Sequence, residues 1–369
     1  MTPLEELRLL LRPAAGGLHL VSSGRAEQIA LQLRLYRAEN EEEVQVLFRE
    51  GLERIASARV VILGVPSDVG AGYRRGANLG PQSIRSKLLD EDQGFPERAR
   101  AAGVVDVGDV ICVPQLLHDE MLSEAQKEAT RRALYPAAGA EAARLPVSPL
   151  SIAERALDLV LALNPRAAPL LLGGDHSVAW PAVSALARAR PGLGVVQVDA
   201  HTDLLEERLG VKICFGTWSF HANEVLGRAG RLVQVGIRAS SHERGHWEER
   251  YGVRQFWAAE VLADPARTLD AILAHVKASG VKGVYLSNDI DGTDASFADA
   301  TGTPEPEGLS PDFVVELIRR LGREVGLAGG DVMEVAPGAA PTPAGTGRTL
   351  STAVLYLRET IAAITGARP

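Results

Sequence analysis

"QVDAHTDL", residues 197–204, decides how this chain is read. The run that leads into it, "GLGVVQV" (192–198), is short, apolar and rich in valine, the pattern of a buried strand. In an extended chain positions i, i+2 and i+4 point to the same side. Asp199, His201 and Asp203 are therefore aimed one way, with no Lys or Arg between them. Two carboxylates and an imidazole at one strand end need positive charge from elsewhere.

Outward from that stretch the same grammar repeats. "RVVILGV" (59–65), "APLLLGG" (168–174), "RLVQVGI" (231–237), "VKGVYLS" (281–287) and "GDVMEV" (330–335) also read as buried strands. Helix-like segments lie between them at 178–190, 266–279 and 311–325, the last with Ser310 as N-cap and Pro311 at its first position. Strands alternating with helices predict an α/β fold, a mostly parallel sheet covered on both faces. Residues 1–58 read as a helical N-terminal extension. In it "EEEVQVLFREGLERIA" (41–56) spaces Val44, Val46, Leu47, Leu52 and Ile55 at helical intervals. Residues 112–150 are less regular and read as a surface insertion, and 59–369 as one domain.

Composition narrows the function. The chain has 369 residues and 46% hydrophobic content, enough for a sizeable core. A net charge of -8 argues against the basic face of a nucleic-acid binder. Cys112 and Cys214 are the only cysteines, so no disulfide framework is expected and a reducing, cytoplasmic setting fits. The N-terminus lacks the basic and apolar regions of a signal peptide, and no run of 18 apolar residues predicts a membrane span.

In a parallel sheet ligands bind beyond the carboxyl ends of the strands. The strand ends here carry Gly173-Gly174-Asp175-His176-Ser177, then Asp199 to Asp203, then "SNDIDGTD" (287–294), and finally Glu334. Asp199, Asp203, Asp289 and Asp291 gathered at one edge would repel one another. Two divalent cations would cancel four carboxylate charges, with His176 and His201 completing the ligands. Such an N/O set suits Mn²⁺ best, with Fe²⁺, Co²⁺, Ni²⁺ or Zn²⁺ as alternatives. "NDIDGTD" is not a calcium loop, because its glycine is fourth rather than sixth and Ala300 stands at the twelfth place. "GVPSDVGAGYRRG" is not a dinucleotide fingerprint, because Gly70, Gly72 and Gly76 miss the spacing.

"GGDHS" (173–177), "DAHTD" (199–203) and "SNDIDGTD" resemble the three signature motifs of the ureohydrolases, the arginase and agmatinase family. "GVPSDVGAGYRRGANLGPQSIR" (64–85), "DVGDV" (106–110), "TGTPEPEGLSP" (301–311) and "GDVMEVAP" (330–337) extend the likeness from about residue 59 onward, closer to agmatinase-like members than to arginase. The resemblance implies a three-layer α/β/α domain with two Mn²⁺ ions, assembled as a homo-trimer or homo-hexamer. It implies that one ion is held by His176, Asp199, Asp203 and Asp289, and the other by His201, Asp199, Asp289 and Asp291. Glu334 would pair with a guanidinium, and Asp203 would handle the proton of the attacking water. The implied reaction is hydrolysis of a small guanidino compound (agmatine-like, guanidinobutyrate or guanidine) to urea and an amine.

The chain also departs from the family. Leu205 stands where arginases carry an asparagine after the second motif, which disfavours L-arginine. Phe215-Gly216 replaces a His-Gly pair whose His assists proton transfer, and Asp294-Ala295 replaces Asp-Pro. His221 is the nearest histidine and is the candidate general acid. Phe215, Trp218 and Phe220 are candidates for an apolar wall or for core packing. The competing readings are a catalytically silent binding or regulatory member, a formimino-compound hydrolase, and a one-zinc deacetylase on a related fold.

Overall fold

The valine- and leucine-rich runs form strands buried on both faces. A computed structural model describes residues 1–367. Its sheet has nine strands: β1 (Leu11–Arg12), β2 (Val60–Gly64), β3 (Val104–Val110), β4 (Ala168–Leu172), β5 (Leu193–Val198), β6 (Leu232–Ile237), β7 (Arg254–Trp257), β8 (Gly283–Asn288) and β9 (Leu327–Val332). The order is β1-β3-β2-β4-β9-β8-β5-β6-β7, so the last strand made sits in the middle. All pairs are parallel except β1 against β3.

Side chains alternate between two apolar layers, as a two-residue period requires. Val61, Leu63, Leu171 and Val195 pack with helices Pro149–Leu163 and Ala179–Ala189. Val60, Ile62, Leu170, Leu172, Val196 and Val198 pack with helices Pro265–Ala278, Pro311–Glu324 and Pro343–Thr365. The result is three layers, α/β/α. The Ser310 cap is present: its side chain accepts the Phe313 N–H, with Pro311 opening the helix.

Five expectations need correction. Residues 1–58 hold helices Pro3–Leu10, Arg25–Tyr36 and Glu41–Glu53, yet Leu11–Arg12 joins the sheet, pairing Leu11 with Val110. The segment thus covers a sheet edge that would otherwise expose its backbone. The strand expected at 330–335 runs from Leu327 to Val332, so Glu334 lies past its end. β3 was unread as a strand because Asp106 and Asp109 interrupt its apolar run. Arg85, itself fully buried, bridges both, at 2.8 Å from Asp106 and 2.5 Å from Asp109. β7 is four residues long, too short to show a period. The 112–150 segment contains a helix, Glu124–Leu134, and Tyr135 anchors it by donating to the Pro146 carbonyl. Among the described residues no helix is long and apolar enough to cross a membrane.

Candidate metal centre and substrate cavity

β4, β9, β8 and β5 are consecutive in the sheet, and the expected site residues follow their ends. The turn after β4 needs Gly173 and Gly174: a Cβ on Gly174 would fall on the Ser67 carbonyl, and one on Gly173 on the Met333 sulfur. Asp175 fixes that turn, its carboxylate accepting the N–H groups of Gly70 and Ser177 at 2.9 Å each. His176 is thereby set against the carboxylates. Its Nδ1 lies 3.0 Å from Asp289 Oδ2, 3.1 Å from Asp199 Oδ2 and 3.3 Å from Asp203 Oδ2. Opposite it, His201 Nδ1 lies 3.2 Å from Asp291 Oδ2 and 3.5 Å from Asp199 Oδ1. Asp199 therefore faces both imidazoles.

The donor set fits cations. Ser287 Oγ donates to Asp331 Oδ2 at 2.9 Å, so it accepts from His176 Nε2 at 3.0 Å. That leaves the His176 Nδ1 lone pair turned to three carboxylate oxygens, buried and without a hydrogen-bond partner. Such an arrangement is repulsive unless a cation sits among the oxygens and the nitrogen. Two groups of ligand atoms have this geometry, His176 with Asp199 and Asp289, and Asp199 with His201 and Asp291, each within 4.8 Å.

Protonation shows the same tension. Burial opposes charge on His201, yet Asp291 and Asp199 push its pKa up to about 12. His176 behaves alike: burial opposes its charge, and the facing carboxylates of Asp199, Asp203 and Asp289 raise its pKa well above the usual value. Burial and then the neighbouring Asp291 and Asp199 charges push Asp289 far upward. Burial, followed by the Asp199 charge, brings Asp203 to about 6. Burial would raise Asp199, but the two imidazoles hold it below the ordinary carboxylate range. Burial, then Asp175, raises Glu334 well above its usual value.

Several positioning groups escaped the sequence reading. Gln197, Gln234 and Gln255 stand in register across β5, β6 and β7. Trp257 Nε1 donates to Gln255 Oε1 at 2.9 Å, and Gln255 Nε2 donates to Gln234 Oε1 at 2.8 Å. Gln234 Nε2 donates to Gln197 Oε1 at 2.8 Å, and Gln197 Nε2 donates to Asp199 Oδ2 at 2.7 Å. A one-way file of amides thus ends on the carboxylate that faces both histidines. Thr303 Oγ1 holds Asp291 Oδ2 at 2.9 Å. The signal for the file was a glutamine inside each of two otherwise apolar strand runs, "VVQV" and "LVQV".

A cavity of about 390 Å³ opens over the cluster. His201, Asp203 and Glu334 line it, together with Leu205 and Phe215. Asp203 and Glu334 both take left-handed backbone conformations, φ 50° and 60°, beyond the ends of β5 and β9. Glu334 Oε1 accepts the His176 N–H at 2.9 Å. Of the three aromatic candidates only Phe215 reaches the cavity. Trp218 is fully buried, its ring 4.5 Å from the His176 ring and its Nε1 donating to Asp203 Oδ2 at 3.0 Å. Phe220 packs on Tyr251 and His221 instead. His221 is not brought to the cluster: its Nε2 is engaged by the carbonyls of Lys212 (2.9 Å) and Glu206 (3.1 Å), and burial lowers its pKa.

Known proteins resemble this chain in sequence and in fold. Residues 58–362 match the sequence model of the arginase family. A mitochondrial agmatinase of Gallus gallus is 34% identical over 285 residues, covering 74% of this chain and 73% of that protein. A guanidinobutyrase of Pseudomonas aeruginosa is 32% identical over 283 residues, covering 74% and 78%. The solved structure of proclavaminate amidino hydrolase from Streptomyces clavuligerus superposes with a TM-score of 0.61 at 30% identity, covering 83% of this chain and 92% of the other. The match spans every strand from β2 to β9 and the residues gathered at their ends, and the chain belongs to the arginase family.

Proposed function

We propose that this chain is a metal-dependent amidinohydrolase that converts a small guanidino compound to urea and an amine. It is a hydrolase of the C–N bond in linear amidines, as its relatives named agmatinase, guanidinobutyrase and amidinohydrolase are. One divalent ion would be held by His176, Asp199, Asp203 and Asp289, the other by His201, Asp199, Asp289 and Asp291. Mn²⁺ suits the donors best. When bound, the ions supply the Lewis acidity that makes water acidic enough to attack near neutral pH, a drop in pKa from 15.7 to about 7 in the best-known zinc case.

The side chains do the rest. A guanidinium is planar and resonance-stabilised, so its carbon must be held in line for attack. Glu334 does this: the His176 N–H occupies Oε1, and Oε2 is left to accept guanidinium N–H groups. Pairing with that cation restores the charge that burial disfavours on Glu334. Trp218 fixes Asp203 through Oδ2, which leaves Oδ1 to receive a proton from the attacking water and return it to the departing nitrogen. That route needs no histidine at the place occupied by Phe215.

The observation that carries the reading is the buried, unpartnered Nδ1 of His176 among three carboxylates. Active protein should contain about two transition-metal ions per chain. Asp289→Ala should lose metal and abolish urea release. One ion in fully active protein, or near-normal turnover by Asp289→Ala, removes the binuclear reading.

A further inference from the structure

Charge along the cavity reverses from floor to mouth. The carboxylates that line it, Asp203 and Glu334, are buried. The two arginines that line it, Arg74 and Arg208, are exposed. Other arginines nearby are committed. Arg75 donates to the Asp68 carbonyl, and Arg238 donates to the carbonyls of Asp291, Glu305 and Pro306. Among the described residues, neither Arg74 nor Arg208 has an acceptor for its guanidinium. Each lies over an aromatic ring instead, Arg208 4.7 Å from the centre of Phe215 and Arg74 5.7 Å from that of Tyr73.

Ring contact leaves the N–H edge of a guanidinium free, and that edge matches a carboxylate with two parallel hydrogen bonds. Phe215 itself lines the cavity, so the Arg208 head lies against the wall at the solvent-open mouth. Gly216 lines the same wall, and a Cβ there would come 3.9 Å from Arg208 Nη1. A ligand that spans the cavity thus meets acceptors at one end and unused donors at the other.

We propose that the mouth reads a carboxylate, so that the substrate is an ω-guanidino acid rather than a guanidino amine. Arg208 is the specificity-determining residue and Arg74 the second cation. The proposal rests on the amidinohydrolase reading, which seats the guanidinium on Glu334. The far end of such a substrate then carries its negative charge to the arginines. An amine tail brings a positive charge to the same place and is disfavoured.

The test is urea release by Mn²⁺-loaded enzyme from 3-guanidinopropionate, 4-guanidinobutyrate, 4-guanidinobutyramide and agmatine. The acids should exceed the amide and agmatine in kcat/KM by about tenfold or more. Arg208→Gln should raise KM for the preferred acid about tenfold, leave kcat within about threefold and leave the amide unaffected, because the lost contact is remote from the reacting carbon. Arg208→Glu should shift preference toward agmatine. Agmatine turned over by the parent enzyme as well as the acids, or an unchanged KM in Arg208→Gln, overturns the carboxylate proposal and leaves the amidinohydrolase reading standing. No urea from any of the four, with both metals bound, overturns both.

Discussion

Trp218 was readable as core and is core, yet its indole N–H holds the carboxylate we assign to proton transfer. A buried tryptophan seeks an acceptor for that N–H, but the sequence does not say which one. Trp218→Phe keeps an aromatic ring against His176 and deletes only the donor. A hydrogen bond to a charged group is worth about 1.5–3 kcal/mol, so kcat should fall about tenfold or more. Metal content should not change. Full activity in Trp218→Phe would return the residue to a packing role. His221 is the control, since its ring nitrogen is occupied by two loop carbonyls. His221→Ala should keep kcat within about threefold, whereas a general acid is worth a hundredfold or more. The six ligand candidates were legible because Asp and His at strand ends have few other reasons to cluster. For His221, closeness in sequence says nothing about where a helix face points, and its ring turns to the Glu206 and Lys212 carbonyls.

The strand is the scale at which the glutamine file works. Each member sits at the same level of its strand, so one mutation breaks a chain that crosses three. Hydrogen bonds in a file polarise one another, and the last amide meets Asp199 as a stronger donor. Gln234→Leu is close in shape but leaves Gln255 Nε2 buried without its acceptor, a loss of about 1–3 kcal/mol. Partners of this kind that orient ligands typically change metal affinity 10–100-fold. Gln234→Leu should therefore weaken Mn²⁺ binding at least about tenfold by titration calorimetry. Unchanged affinity, with only a lower melting temperature, would make the file structural alone. Strand positions were legible where valine and leucine run unbroken, as in β2, β4 and β5. They were illegible where charge is paired from elsewhere, as Arg85 pairs with Asp106 and Asp109 in β3.

At the scale of the molecule, the first 58 residues form part of a layer. Leu7, Leu10, Leu52 and Ile55 are fully buried in the same apolar cluster as Leu63 and Leu150. Glu6, also buried, is bridged by Arg155 at 2.6 Å. Helical spacing announced the apolar face of residues 41–56 but could not show what it would cover. The strand order has a consequence for timing. Synthesis delivers β4, which carries His176, and then β5 and β8, which carry the aspartates, but β9 lies between β4 and β8. Until Leu327–Val332 leaves the ribosome, the chain holds two half-sheets, and His176 and the aspartates belong to different halves. At about 5–20 residues per second, the half of the cluster that needs His176 is unassembled for nearly the whole of translation, so completion of the two-ion site is a late event. Nascent chains arrested after Gly326 should retain through gel filtration at most the one Mn²⁺ ion that His201 and the aspartates can hold, while the released full-length chain retains about two. An arrested 1–326 chain that already holds a full complement of ions would show that the halves meet without their central strand.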